Sequence, residues 1–170
     1  MAVISAARNR SVTAARSKAS ATTSTQSSTR LPAIHPALLP VVQRQQFEKL
    51  VTDALASIPR RFRDAMSNIA IVVEDEPDPA LLAEMDVEPG GTLLGLYQGI
   101  PLTERRWDYG NALPDRILLF QGPHERQSDD HEDLVVAIGE TLIHEIGHYF
   151  GLSEEEIEEI EEKYWRGEDA

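Results

Sequence analysis

The sequence predicts an α+β domain: a small mixed sheet of three or four strands packed on one buried helix, with a backing helix before it and a short helix after it. Two patterns carry this expectation. Apolar side chains recur at helical spacing over Val42–Ile58 and Asp133–Phe150, and three short aliphatic runs typical of strands stand between them. The length of 170 residues allows one domain with a sizeable core, and would leave two domains with marginal ones.

Residues 1–40 are expected to lie outside the folded unit, which should span 41–166. The first thirty hold Arg8, Arg10, Arg16, Lys18 and Arg30, no acidic residue, and a Ser/Thr tract from Ser20 to Thr29. So few apolar side chains cannot offset the entropy of ordering, so disorder is expected. The same composition resembles an organelle transit peptide, although a solvated basic extension explains it equally well. Leu31–Pro40 carries three prolines and reads as an extended lead-in.

In the backing helix, Phe47, Leu50, Val51, Ala54, Leu55 and Ile58 share one face, and Pro59 ends the run. A shorter helix is expected over Arg60–Met66. Ile69–Val73, bounded by an acidic Pro-containing turn, reads as a buried strand, with further strands at Leu93–Tyr97 and Ile117–Phe120. Between the last two, Gln98–Asp115 holds two glycines and two prolines and reads as a long loop, a common place for function. Past Gly122-Pro123 a polar turn is expected, then one helix over Asp133–Phe150. Ser153 and Glu156 form a capping-box pattern that starts the last helix.

The whole chain carries a net charge of −13 although its first thirty residues are basic, so the folded part is strongly acidic and unsuited to wrapping nucleic-acid phosphates. The absence of cysteine excludes disulfides and thiolate ligands, leaving His and carboxylates as the only strong metal donors. It also fits a reducing compartment, hence a cytoplasmic location if the source is bacterial, or an organelle if the first thirty residues direct import. No apolar run approaches the ~18 residues needed to cross a bilayer, so a soluble monomer with no membrane partner is expected.

The chemistry is concentrated in His144-Glu145-Ile146-Gly147-His148. Residues four apart on a helix stand one turn above each other, so both imidazoles can reach one ion at about 2 Å. Glu145 lies on the flank of that face, suited to act as general base toward a metal-activated water and not as a ligand. On a helical wheel the apolar residues from Leu134 to Phe150 cover slightly more than half the circumference. The remaining sector carries Ala137, Glu140, Thr141, His144 and His148. A zinc site with only two protein ligands would be incomplete. Gly151 can turn the chain back past the metal, and Glu154, Glu155 and Glu158 follow as candidates for a third ligand, although acidic residues at a helix start need no such role.

His144-Glu-Ile-Gly-His148-Tyr-Phe-Gly151-Leu-Ser-Glu154 resembles the extended motif HExxHxxGxx(H/D/E) of metzincin-like zincins, and more closely that of the small bacterial zincin-like metallopeptidases. The likeness continues upstream through Leu94–Arg105 and Leu113–Pro123, and covers about Phe47–Glu162. It implies a minimal zincin-like fold, one Zn2+ held by His144, His148 and Glu154, Glu145 as the catalytic base, and a peptide or protein as substrate. Two departures stand out. Glu154 occupies a position commonly filled by Asp or His, with Glu155 as the substitute, and no methionine follows His148 to make the Met-turn of true metzincins.

Ile117–Phe120 could be the sheet edge along which a substrate strand pairs, or a plain core strand. Trp107, Tyr109 and Tyr149 could line the cleft or help hold an oxyanion, although packing is the commoner role of aromatics in such positions, and Tyr149 faces the core on the wheel. His35, His124 and His131 fall in expected loops without ligand spacing. Two other functions compete: a non-catalytic, zinc-stabilised module that binds peptides or partners, and a nucleic-acid-binding arm formed by the basic first thirty residues.

Overall fold

A computed structural model describes residues 42–106 and 113–165. The tail and lead-in, His35, Trp107 and Tyr109 lie outside the described residues.

The elements run α1 (Arg44–Ser57), α2 (Arg60–Ala65), β1 (Ile69–Glu74), α3 (Pro79–Glu84), β2 (Gly95–Gln98), β3 (Asp115–Phe120), α4 (Gln121–Gln127), α5 (His131–Phe150) and α6 (Glu154–Trp165). The expected α+β class is what the structure shows. The sheet has three strands in the order β1-β3-β2. β3 is parallel to β1, with Ile71 opposite Ile117, and antiparallel to β2, with Tyr97 opposite Ile117.

Alternation along β3 divides the interior into two cores. Ile117 and Leu119 point to the larger one, where Tyr97 joins Phe47, Val51 and Ala54 of α1 and Leu134, Ile138, Leu142 and Tyr149 of α5. Leu118 and Phe120 point the other way, onto Leu93 and Leu96, with Leu81 and Leu82 of α3 packed against them. The sheet is thus covered on both faces, and α5 is pressed between it and α1. Burying α5 on two sides suits its wide apolar sector.

Of the two readings of Ile117–Phe120 the core strand holds, and several other expectations need correction. β3 is the central strand and not the edge, because β1 and β2 both pair with it; the edge next to α5 is β2. The polar turn after Gly122-Pro123 is the helix α4. Pro123 is tolerated in its first turn, where an amide would have no intrahelical partner. His124 therefore sits on a helix and is fully buried. The short helix α3 went unread, although Asp78 caps it through Ala80 N–H and Pro79 opens it. Part of the expected long loop is a 3-10 turn, Leu102–Glu104. Among the described residues, no helix is long and apolar enough to cross a membrane.

Candidate metal centre

Asp130 starts α5 by accepting hydrogen bonds from Glu132 N–H and Asp133 N–H at 2.8 and 3.0 Å. Gly151 ends it in the left-handed conformation, φ 77°, ψ 29°. A Cβ there would be strained, and would also lie 2.0 Å from Thr103 Oγ1. The reversal at Gly151 carries the chain back along α5, and the Ser153–Glu156 capping box fixes the start of α6, Ser153 N–H donating to Glu156 Oε2 at 2.8 Å.

α6 seats on α5 at Gly147. A Cβ at Gly147 would come 2.5 Å from Ile157 Cγ1, so the missing side chain is the socket for Ile157, which is itself buried. This contact brings the polar face of α6 over the histidines. His144 and His148 stack edge to face, with ring centroids 4.8 Å apart. Glu154 presents Oε2 3.6 Å from His144 Nε2 and Oε1 3.4 Å from His148 Nε2. Donor atoms of these three residues all lie within 4.8 Å of one another, so the group could hold a metal ion. Both Nε2 atoms are buried and have no hydrogen-bond partner among the described residues. Buried polar atoms are rarely left this way, and two imidazole nitrogens converging on a carboxylate are the donor set that zinc takes in a protein without cysteine. The residues present fit the ion.

The motif histidines sit in opposed electrostatic settings. Burial first, and then the neighbouring His144, push His148 down to about 4 against the pull of Glu154. Burial also opposes charge on His144, but its hydrogen bond to Glu161 and the charges of Glu145, Glu161 and Glu154 outweigh that and raise its pKa. His144 Nδ1 lies 3.2 Å from Glu161 Oε1. Glu140, half-buried one turn earlier, is pushed up by burial and then by Glu161.

Glu145, next to His144 on α5, is fully buried. Its Oε2 accepts the backbone N–H of Tyr97 at 2.6 Å, an amide of the edge strand β2. Close approach of strand and helix depends on Gly95, whose added Cβ would lie 2.4 Å from Thr141 Cγ2 and 3.1 Å from Glu145 Cγ. The strand is anchored beyond the site by Tyr97 Oη, which donates to Asp115 Oδ2 at 2.7 Å, and by Arg105, which ion-pairs with the same carboxylate. Burial, and then the Asp115 hydrogen bond, push the Tyr97 phenol up. Arg105 also lies over the Tyr149 ring, 5.0 Å from its centroid.

The structure therefore brings His144, His148 and Glu154 together, with Glu145 on the adjoining flank of α5. Glu155 and Glu158 are outside the donor group. Glu161, Gly95 and the Tyr97 amide were missed by the reading of the sequence. Glu161 lies seven residues after Glu154, two helical turns on, and that spacing was the available signal.

A family profile described as zincin-like metallopeptidase matches residues 66–164, which is more than half of the chain. The chain belongs to the zincin-like metallopeptidase family. The match begins just after α2, reaches the last turn of α6 and includes His144, Glu145, His148 and Glu154. No curated protein matches the chain. Family membership carries with it a zinc site and peptide or protein substrates as the general expectation.

Proposed function

We propose that the protein is a zinc-dependent metallopeptidase that hydrolyses peptide bonds, with His144, His148 and Glu154 as ligands of one Zn2+ and Glu145 as general base. The observation that carries this reading is the pair of buried, unbonded Nε2 atoms facing the Glu154 carboxylate. When bound, zinc would lower the pKa of a water toward neutrality and polarise the scissile carbonyl.

The chain's own groups supply the rest. Tyr97 N–H holds one oxygen of Glu145, so the carboxylate keeps one orientation beside the histidines. Glu145 takes a proton from the attacking water at its carboxylate and returns it to the leaving amine as the peptide C–N bond breaks. The full burial of this carboxylate removes competing bulk water from the transfer.

A second reading is favoured by that same burial. A base with no exposed surface, tied to a strand amide, also suits a zinc-stabilised binding module on a zincin fold that turns over nothing. Zinc analysis together with cleavage of a diverse peptide library separates the two. The enzyme reading predicts that the parent cleaves peptides, whereas Glu145→Gln keeps its zinc and loses cleavage. Zinc retention without cleavage by the parent under any library or pH would leave the binding module.

A further inference from the structure

α6 faces the histidines with two carboxylates, of which only Glu154 belongs to the ligand set. Glu161 Oε1 lies 3.2 Å from His144 Nδ1, on the side of the imidazole opposite the unbonded Nε2. A carboxylate can only accept, so this contact requires the proton on Nδ1. With the proton there, the lone pair of His144 is on Nε2, the atom directed at Glu154 and His148. Glu161 is three-quarters buried, 24% exposed at its side chain, so the bond is sheltered from water.

We propose that Glu161 is a positioning residue for the metal centre: it fixes the tautomer and ring orientation of His144 and raises its basicity as a ligand. The proposal rests on the zinc reading above. It also assigns α6 a single task, since Glu154 and Glu161 stand two turns apart on the face that covers α5. The Ile157 side chain seated at Gly147 holds both in register. Outer carboxylates of this kind commonly change metal affinity by about 10–100-fold when removed.

The test is zinc affinity, measured by competition with a chromophoric chelator, and the His144 tautomer, measured by imidazole 15N shifts in the metal-free protein above the titration of the residue. Glu161→Ala is expected to weaken zinc binding by about 10–100-fold and to lose the Nδ1–H tautomer. Glu161→Gln keeps an acceptor oxygen, so it should retain the tautomer and recover part of the affinity. Glu159→Ala, which removes an exposed carboxylate paired with Lys163 on the same helix, should change neither. Unaltered zinc affinity in Glu161→Ala, or an Nε2–H tautomer in the parent, would overturn the assignment. Failure of the parent to bind zinc would sink the metal reading, while the tautomer measurement would still decide what Glu161 does. Zinc binding without peptide cleavage would remove the peptidase reading and leave this one standing.

Discussion

Gly147→Ala sets two effects of known size against each other. Alanine in place of glycine in a helix interior gains about 1 kcal/mol of helix propensity, so an isolated α5 would be more stable with it. Against this, the new methyl would sit 2.5 Å from Ile157 Cγ1 and 2.8 Å from Cδ1, where carbon atoms in contact prefer roughly 3.5–4.0 Å. Cγ1 is attached directly to the β-carbon of a β-branched side chain that has few rotamers, so it cannot swing aside easily. Relief must come from moving α6 by about 1 Å, with an overpacking cost of about 1–3 kcal/mol. The variant should therefore be less stable than the parent by about 1 kcal/mol, the difference of these estimates. Because Glu154 and Glu161 ride on the displaced helix, it should also bind zinc more weakly. Thermal unfolding of the metal-free protein and chelator competition measure the two effects separately. In Gly147→Ala/Ile157→Ala the clash is gone, so the single effects should not add. A higher Tm for Gly147→Ala with unchanged zinc affinity would refute the seating of α6 described here.

The buried His124 predicts an acid sensitivity unrelated to the metal. Its Nδ1–H donates to the Phe120 carbonyl at 2.8 Å and its Nε2 lies 3.1 Å from Thr141 Oγ1, while burial lowers its pKa to about 4 from an unfolded value near 6.5. Below 6.5 the unfolded state takes up a proton that the folded state refuses. Stability is therefore lost as pH falls from 6.5 to 4, by up to about 3 kcal/mol at 1.36 kcal/mol per unit. His124→Asn should be less stable at neutral pH but flatter over that range, and parallel denaturation profiles for the two proteins would contradict this. Glu154→Ala should weaken zinc binding beyond the roughly 100-fold typical of outer partners, whereas Glu155→Ala should leave it unchanged; equal losses would return the third position to an open choice. Gly95→Ala should cost about 1–3 kcal/mol by overpacking against Thr141. It should also separate Tyr97 N–H from Glu145, seen as faster exchange of the Tyr97 amide proton.

The active-site helix was legible because its signals agree. The apolar sector and Gly151 at the exit mark the same element, and the structure places Leu134, Leu142 and Tyr149 in the core as the wheel implied; the Asp130 cap, which starts the helix at His131 and not Asp133, was not read. The order of strands was not legible, because strand periodicity reports burial and not neighbours. The uninterrupted run Ile117–Phe120 did hold a clue, since a strand buried on both faces suits the centre of a sheet better than its edge. α4 was lost for a local reason: Gly122-Pro123 is a turn signal unless it falls in the first turn of a helix, and β3 runs straight into that helix. The candidate ligands were readable in part: His144 and His148 follow from their spacing, and Glu154 was one of three nearby carboxylates, singled out by the family resemblance. The groups that orient them were not, since Gly95, Tyr97 and Glu161 reach α5 only through the packing of β2 and α6.

X-ray absorption at the zinc edge of the zinc-loaded protein tests the central claim most directly. The account predicts one ion per chain with two imidazole nitrogens at about 2.0–2.1 Å and oxygen donors completing a four-coordinate shell, and the loss of one oxygen donor or of the ion itself in Glu154→Ala. An all-oxygen shell, or a single imidazole, would contradict it.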